Sequence, residues 1–337
     1  MMPKKLADKI QEKFIPFSAS LELTWKCNLH CQFCYQRAPG KGELNTAEVK
    51  DILDQLQECG CLILSLTGGE PLVRSDFWDI MKYAGAKHFS ITLQTNGTLI
   101  TRPAAKKLTK FPIFCVHISI LGTAADTHDT MTGHKGSFDK ALKAASYLRA
   151  NRIPVIFKVT VTKNNYREID DIHRLAKKYD CDLVFSPVIY PRNDGNLIPL
   201  KFRLDDSELK AFYHWVFKRF PAQAKPFKKG EYGPTCQFGQ TDCCISPYGK
   251  VYPCVTVPME AGDLRKQRFI AIWQNSRILK KIRCTGLDNL VECSRCNIAA
   301  SCIRCSGLSF LEDKKMNAAA RECCRMTKII MGVISDE

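Results

Sequence analysis

Three cysteines near the start of the chain, Cys27, Cys31 and Cys34, have the type and spacing that suit an iron–sulfur cluster. Their spacing is C-x3-C-x2-C, and no fourth cysteine lies nearby in the sequence. Three thiolates can ligate three irons of a cubane 4Fe–4S cluster and leave the fourth iron without a protein ligand. Clusters that only carry electrons or hold a fold together normally have four protein ligands. The spacing therefore indicates that something else binds the open iron.

Zinc is the main alternative for these cysteines. Structural zinc sites take four Cys or His ligands and favour paired C-x2-C knuckles. His30 lies between Cys27 and Cys31 and can supply a fourth ligand. Disulfides are a weaker alternative, because eighteen cysteines in a chain without an N-terminal secretion signal point to metal or redox chemistry.

A Gly-Gly-Glu turn, Gly68-Gly69-Glu70, follows the second predicted strand. Two adjacent glycines let the backbone approach a ligand closely. The cysteine run and this turn together resemble the motifs of the radical S-adenosylmethionine (radical SAM) family. The resemblance implies that S-adenosylmethionine (SAM) chelates the open iron and is reductively cleaved to methionine and a 5′-deoxyadenosyl radical. It also implies that Gly68, Gly69 and Glu70 contact the amino group of SAM.

Three further positions are similar to SAM-binding positions of the family. Asn96 lies in a Thr-Asn-Gly turn after the third predicted strand, Ser119 lies on the fourth, and Lys158 lies on the fifth. The resemblance implies that Asn96 and Ser119 lie near SAM and that Lys158 pairs with its carboxylate. The segment 127–138 also resembles family members that modify peptides.

Strand-like and helix-like segments alternate from residue 18 to about residue 190. The predicted strands are Ala19–Thr24, Leu62–Thr67, Phe89–Gln94, Phe114–Leu121, Val155–Thr162 and Leu183–Ile189. The predicted helices are Thr46–Glu58, Ser75–Ala86, Arg102–Thr109, Ser137–Arg149, Asn165–Lys178 and Asp205–Phe220. This alternation predicts an α/β fold with parallel βα units. Six such units resemble the partial (β/α)6 TIM-like barrel of the radical SAM fold, and an open doubly wound sheet fits the same pattern.

A second cysteine-rich region follows residue 236 and resembles the SPASM domain, which holds auxiliary 4Fe–4S clusters in maturases of peptides and cofactors. The resemblance assigns to the first auxiliary cluster Cys236, Cys254, Cys305 and Cys243, with Cys244 as the alternative to Cys243. It assigns to the second auxiliary cluster Cys293, Cys296, Cys302 and Cys324, with Cys323 as the alternative to Cys324. The usual C-x3-C spacing is here one residue shorter, at Cys302–Cys305. Two zinc knuckles are the alternative for this region.

The predicted domain organisation has four parts. Residues 1–17 form an N-terminal extension, 18–220 the radical SAM core, 221–235 a linker rich in Pro, Lys and Gly, and 236–337 the SPASM auxiliary-cluster domain. A core that begins at residue 18 leaves no room before it for the N-terminal peptide-recognition domain of some family members. A separate peptide-recognition protein is therefore expected.

The family resemblance implies an enzyme with three 4Fe–4S clusters and SAM that modifies a ribosomally synthesised precursor peptide. Alternatives within the family are a sulfatase-maturating (formylglycine-forming) enzyme and a haem-precursor maturase. From other classes, an iron–sulfur electron carrier and a zinc-binding scaffold stay open, although the open-ligand motif and the Gly-Gly-Glu turn argue against both.

Charge and composition add expectations about partners and location. The formal net charge of +16 favours anionic partners. No polybasic tail or arginine-rich run points to nucleic acid, and no apolar run is long enough to span a bilayer. We therefore expect a cytoplasmic enzyme with a peptide substrate of net negative charge and a reductant such as flavodoxin or ferredoxin.

Overall fold

The computed structural model describes residues 4–36, 40–223, 236, 238–285, 290–302 and 304–336. Most of the predicted linker 221–235 lies outside these residues, and so does position 303 between two predicted ligands. Within these ranges, no helix combines the length and the apolar character that crossing a membrane requires.

The strands of the described chain form one nine-stranded sheet in the order β6-β5-β4-β3-β2-β1-β7-β8-β9. Their bounds are β1 Ser18–Thr24, β2 Ile63–Gly68, β3 Ser90–Thr95, β4 Ile113–Ser119, β5 Val155–Thr160, β6 Asp182–Ser186, β7 Asp242–Ile245, β8 Lys250–Tyr252 and β9 Gly262–Asp263. Strands β1 to β7 pair in parallel, and β8 and β9 add antiparallel pairs.

The strand order decides between the two predicted sheets. A doubly wound sheet reverses its strand order at a switch point, whereas β1 to β6 follow one another without reversal. Strand β6 pairs only with β5 in the described sheet, so the barrel does not close. The prediction of a partial (β/α)6 barrel is thus confirmed, and the doubly wound alternative is wrong.

The helices of the described residues lie mostly between the strands. Their bounds are α1 Lys4–Glu12, α2 Thr46–Glu58, α3 Phe77–Ala86, α4 Arg102–Leu108, α5 Ala125–Thr132, α6 Ser137–Ala150, α7 Ile169–Lys178, α8 Asp206–Arg219, α9 Phe269–Asn275, α10 Arg277–Arg283, α11 Val291–Ser294, α12 Ser306–Asp313 and α13 Arg321–Asp336. Local sequence explains where helices begin: Asn45 and Glu48 form a capping box at the start of α2.

The two faces of the barrel sheet have different surroundings. On β1, Ala19, Leu21 and Leu23 are fully buried in the main core, which the helices cover. Successive side chains of a strand point to opposite faces, so Ser20 and Glu22 face the barrel interior. Each buried leucine stabilises this layer by about 2 kcal/mol. The outer face therefore holds the fold together, and the inner face is available for chemistry.

The region after residue 236 contacts the barrel at several places, among them one near each of its ends. Strand β7 pairs with β1 and extends the barrel sheet. At the other end of this region, α13 packs against α8, where Met326 and Val333 share a core with Phe212 and Val216. Neither contact was predicted, because pairing between distant segments leaves no local signal in the sequence.

Within residues 18–220, two helical segments differ clearly from the prediction. Helix α5 was missed because Ala125–Thr132 is polar and has no strong apolar periodicity. The predicted helix Asn165–Lys178 starts as a 3-10 turn, and α7 begins only at Ile169. The side chain of Asn165 accepts a hydrogen bond from the backbone N–H of Thr162 and so favours a turn over a helix there.

Candidate active site at the carboxyl ends of the strands

The cysteine run lies in the loop directly after β1, at the carboxyl end of that strand. Cys27 and Cys34 are exposed, and Cys31 is half-buried. Burial, followed by the negative charges of Cys34 and Cys27, raises the pKa of the Cys31 thiol to about 12. The three sulfurs are therefore neighbours. A bound metal reverses this effect, because a coordinating thiol loses its proton.

The chemistry of this donor set suits a cluster better than a single ion. Among the described residues, no three His, Cys, Asp or Glu side chains lie close enough together to hold one metal ion. In a cubane cluster each thiolate binds a different iron, so the ligands surround a volume and not a point. Three neighbouring thiols from one loop fit a 4Fe–4S cluster that keeps one open iron.

The end of α5 and the glycine turn that follows it contact the cysteine loop. His30 donates its backbone N–H to the carbonyl of Thr132 at 2.9 Å, and Gln32 donates to the carbonyl of Met131 at 3.2 Å. Gly133 has a φ of 66°, and a Cβ there would lie 3.1 Å from the His30 carbonyl oxygen. This contact explains why the segment 127–138 carries a glycine at this position.

The Gly-Gly-Glu turn lies against the other side of the cysteine loop. Gly69 donates its N–H to Thr24 at 2.7 Å, and Glu70 donates to Lys26 at 2.9 Å. A Cβ on Gly69 would lie 2.3 Å from the Lys26 carbonyl oxygen, and one on Gly68 would lie 2.2 Å from that of Thr24. Only glycine permits this approach, so both glycines are required by the packing of β2 against the loop.

Glu70 is completely buried, and its carboxylate forms hydrogen bonds with neighbouring groups of the protein. It accepts hydrogen bonds from the Thr95 hydroxyl at 2.9 Å, the Asn96 N–H at 2.8 Å and the Leu72 N–H at 3.1 Å. Burial raises the pKa of this carboxyl to about 7. The side chain of Glu70 thus ties the end of β2 to the end of β3.

Asn96 lies at the rim of the cysteine loop. Its amide nitrogen donates to the Asn28 side chain at 2.9 Å and lies 3.9 Å from the Cys27 sulfur. Its amide oxygen accepts from the Thr98 hydroxyl at 2.6 Å. The predicted turn after β3 is therefore next to the predicted cluster.

Ser119 and Lys158 lie opposite each other in the pairing of β4 with β5. The ammonium of Lys158 donates to Gln94 at 2.9 Å, and Gln94 donates to Ser65 at 2.8 Å. Water reaches Lys158 inside the barrel, yet desolvation by the surrounding protein lowers the pKa of its ammonium. Lys158 is thus a hydrogen-bonded cation inside the barrel.

The adjacent cysteines of β7 point in opposite directions. Cys243 pairs with Ala19 and lies with Cys61 in the apolar core under the helices. Cys244 pairs with Ser20, on the inner face of the sheet. Burial, followed by the negative charges of Glu22 and Cys254, raises the pKa of the Cys244 thiol well above its usual range. Cys244, the predicted alternative to Cys243, is thus the member of the pair on the inner face, whereas Cys243 lies in the core, and which of the two binds the first auxiliary cluster stays a prediction.

The remaining ligands assigned to the first auxiliary cluster are also close to one another. The pKa of the Cys236 thiol is raised to about 11 by burial and by the negative charges of Cys254 and Cys305. The hydroxyl of Tyr190 lies 4.0 Å from the Cys305 sulfur. Despite its shortened spacing, Cys305 thus lies beside Cys236 and Cys254.

Cys323 and Cys324 have different neighbours: Cys305 of the first auxiliary set acts most on Cys323, and thiols of the second set act on Cys324. Burial, followed by the charge of Cys305, raises the pKa of the Cys323 thiol to about 12, and Cys323 is buried in a small apolar cluster. The neighbours that raise the pKa of Cys324, after burial, are Cys302, Cys293 and Cys296. Cys324 is thus the member of the pair that faces the three other thiols assigned to the second auxiliary cluster.

Several residues near these thiols were not predicted, among them Tyr190, Arg192 and Asn193. They follow β6, where the sequence has no motif that separates them from an ordinary loop. Glu22 is different, because an acidic residue in the strand run 19–24 is a signal that could have been noticed. It is 3% exposed and accepts from Trp25 at 2.9 Å and from Gln36 at 2.6 Å.

Comparison with known families agrees with this geometry. Residues 21–187 match the radical SAM superfamily, and residues 236–297 match the SPASM iron–sulfur cluster-binding domain. The AdoMet-dependent heme synthase of Methanosarcina barkeri is 29% identical over 320 residues, which are 86% of this chain and 90% of that protein. The mycofactocin maturase MftC of Mycobacterium tuberculosis is 29% identical over 327 residues, which are 91% of this chain and 83% of that protein.

Two solved structures share the fold. Streptococcus suis SuiB bound to the precursor peptide SuiA has a TM-score of 0.73 at 17% identity, over 95% of this chain and 79% of that chain. Native anSMEcpe with bound AdoMet has a TM-score of 0.72 at 17% identity, over 95% of this chain and all of that chain. With both sequence regions matched and the barrel observed, the chain belongs to the radical SAM superfamily and carries a SPASM iron–sulfur cluster-binding domain after its barrel.

Proposed function

We propose that this protein is a radical SAM maturase that modifies a ribosomally synthesised peptide. The observation that carries the proposal is the group of three neighbouring thiols, Cys27, Cys31 and Cys34, at the end of a barrel sheet whose edge strands, β6 and β9, do not pair with each other. An open barrel admits an extended chain from the side. When bound, the cluster and SAM together supply the 5′-deoxyadenosyl radical that abstracts hydrogen from the substrate.

The chain's own residues hold and orient SAM in this proposal. The backbone of Gly68 and Gly69, pressed against the cysteine loop, receives the amino group. Asn96 and Ser119 lie at the same edge of the barrel, and Lys158 supplies the cation for the SAM carboxylate. Glu70 belongs to the same turn, and its buried carboxylate positions Thr95 and Asn96 through hydrogen bonds.

Two auxiliary 4Fe–4S clusters complete the proposed set of three. The first has as ligands Cys236, Cys244, Cys254 and Cys305. The second has as ligands Cys293, Cys296, Cys302 and Cys324. The neighbouring thiols described above support both assignments, and the first cluster lies at the inner face of the sheet, where Cys244 meets the barrel interior.

The iron content and the peptide product test the proposal together. Anaerobically reconstituted protein should hold about 12 irons and about 12 sulfides per chain. With a chemical reductant it should convert SAM to methionine and 5′-deoxyadenosine, and it should change the mass of a precursor peptide encoded beside its gene. Stoichiometric zinc without sulfide would contradict the iron–sulfur assignment, and SAM cleavage with every candidate peptide unchanged would contradict the substrate class.

The second candidate function is maturation of a haem precursor. The 29% identity to the heme synthase of Methanosarcina barkeri, over 90% of that protein, favours it. Titration with an iron porphyrin separates the two functions, because a porphyrin substrate should bind tightly, shift its absorption band and be converted in the presence of SAM. A sulfatase-maturating activity would instead appear as formylglycine in a Cys- or Ser-containing peptide.

Three finer features belong to the same proposal. A separate recognition protein delivers the precursor peptide, a flavodoxin or ferredoxin supplies the electron, and the enzyme works in the cytoplasm. The net charge of +16 supports partners of net negative charge. Peptide affinity should then fall clearly between 0.1 M and 1 M salt, because the Debye length falls from about 10 Å to about 3 Å. An affinity independent of salt would rule out an acidic partner.

A further inference from the structure

The chain that follows β6 forms a short connection between the two cysteine regions, which we call the bridging segment, Ile189–Asn193. The guanidinium of Arg203 holds its start by donating two hydrogen bonds to the Ile189 carbonyl, at 3.0 and 2.7 Å. Its end is held by a tight turn in which Gly195 donates to the Arg192 carbonyl at 2.8 Å. The segment is thus fixed at both ends.

Asn193 contacts both cysteine regions directly. Its backbone N–H donates to the carbonyl of Tyr35 at 2.9 Å, and Tyr35 follows Cys34 in the sequence. Its side-chain amide donates to the carbonyl of Val255 at 3.1 Å, and Val255 follows Cys254. One residue therefore joins the loop of the SAM cluster to the hairpin of the first auxiliary cluster.

Arg192 brings a positive charge to this junction. Its Nε is buried and has no hydrogen-bond partner among the described residues. Its terminal nitrogen Nη2 lies 3.2 Å from the carboxylate of Asp194, and the two side chains are 31% and 41% exposed, so water weakens the attraction within this pair but leaves part of it. Arg192 directly precedes Asn193, which contacts the cysteine loop at Tyr35, so its unused buried N–H is available to a cluster bound on that loop.

The charges around the three cysteines differ in sign. Burial raises the pKa of the Cys34 thiol, the Gln36 N–H and the positive charge of Arg192 oppose this increase, and the negative charge of Glu22 adds to it. The neighbouring charges that act on Cys27 are those of Glu70 and Cys34, both negative. The Cys34 corner of the site therefore has a cation, Arg192, beside the anion Glu22, whereas the Cys27 corner has anions.

We propose that Arg192 sets the reduction potential of the SAM cluster through its charge and its free Nε–H. The inference rests on the proposed function, because it needs the cluster on Cys27, Cys31 and Cys34. Reduction adds one negative charge to the cluster, and a nearby positive charge stabilises the reduced form. Hydrogen bonds to the sulfurs and the net charge are among the factors that set such potentials.

Two substitutions with opposite predicted effects test the proposal. Arg192→Met removes the cation and the donor, and it should lower the ratio of reduced to oxidised SAM cluster at a fixed potential about tenfold, which is about 59 mV for a one-electron couple. Asp194→Asn removes the counter-charge and should raise the same ratio about threefold, because the Arg192 charge is then no longer offset. Arg192→Lys keeps the charge and should give an intermediate value.

The measurement is a redox titration of the reconstituted full chain, followed by electron paramagnetic resonance. SAM addition identifies the SAM cluster, because only its signal changes when SAM binds the open iron. Tyr190→Phe is the matched control on the same segment: it should leave this potential unchanged and move only the signal of the first auxiliary cluster.

The outcomes separate the inference from the proposed function. If Arg192→Met does not lower the ratio, Arg192 does not set the potential. If that variant fails to hold the cluster, Asp194→Asn decides, and an unchanged ratio there overturns the inference. If the unmodified protein has no SAM-responsive signal, the proposed function itself fails.

Discussion

The cysteines of the SAM-cluster loop and those of the auxiliary region are supported by different kinds of structure. The cysteine loop rests on the ends of β1, β2 and β3, which share the large main core, and on the segment before α6. The hairpin of β7 and β8 adjoins the main core through Ile245 and Val251, whereas the cysteines from Cys293 onward lie on short helices and between them. Among the described residues, the apolar cluster around Cys323 has two other buried members, Leu308 and Ala320. A site supported by a barrel can form before its cluster binds, whereas a region with little core depends on its metal as a staple.

The largest effect should come from the cysteine loop and should spare the fold. Changing Cys27, Cys31 and Cys34 to Ala should remove about four irons and abolish SAM cleavage. Because the barrel core does not involve these thiols, the thermal midpoint should change by less than about 4 °C. Iron analysis, product assay and calorimetry check this, and a collapse of the fold would contradict the comparison.

At the second auxiliary cluster, loss of iron should also destabilise the fold around it. Replacing both Cys296 and Cys302 by Ala should remove about four irons and destabilise the auxiliary region by about 4 kcal/mol or more, since loss of a bound metal is among the most damaging changes. Limited proteolysis after residue 284 should then become rapid, while the barrel resists. Equal resistance of both regions would show that the auxiliary region does not need its cluster.

Cys243 and Cys244, adjacent on β7, allow the same comparison of a core position with a ligand position on one strand. Cys244→Ala should remove about four irons, because this thiol faces the inner side of the sheet beside Cys254. Cys243→Ala should leave the iron content unchanged and cost about 1 kcal/mol of stability through a small cavity in the core. Iron counting on the two single variants tests the assignment, and loss of iron from both would refute it.

The glycine turn tests how tightly the barrel holds the cysteine loop. Gly69→Ala places a Cβ 2.3 Å from the Lys26 carbonyl oxygen. The loop must move, at a cost of about 3 kcal/mol, and SAM should bind more weakly. Gly332→Ala in α13 is the matched control, since a Cβ there meets nothing within 4 Å. That variant should keep SAM affinity and gain about 0.5 kcal/mol of stability.

The smallest effect concerns pH and the buried His128 of α5. Burial lowers the pKa of its imidazole to about 4, and the neutral ring accepts a hydrogen bond from Leu121 at 3.2 Å. The unfolded chain takes up its proton near pH 6.5, so this stability is complete above that pH and is lost as the pH falls toward 4. Between pH 7.5 and pH 5 the loss should be about 2 kcal/mol.

His128→Gln removes this titrating group and keeps a side chain that can accept a hydrogen bond. Urea unfolding of the variant and the unmodified protein at several pH values isolates the effect, because any loss of clusters is common to both. The difference in unfolding free energy between the two proteins should shrink as the pH falls. A constant difference would mean that His128 does not titrate with unfolding.

The sequence was sufficient for most local features of the barrel. Each predicted strand matches an observed one to within a few residues, because buried parallel strands are apolar runs between helices of clear periodicity. Helix α2 was predicted with its observed bounds, Thr46–Glu58, since its capping residue and its buried positions are both readable. The radical SAM and SPASM regions were recognisable for a similar reason, as their ligand spacings are short and local.

Tertiary structure decided what depends on residues far apart in the sequence. Parallel pairing of β1 with β7 turned Cys243 into the core and Cys244 toward the barrel interior, and no spacing rule could have chosen between them. The fold brought Arg192 to Cys34 and Asn193 to Val255, contacts that join segments separated by more than sixty residues. Motif spacing thus determined which thiols could bind clusters, but only the register of distant strands fixed their directions and the charges that surround them.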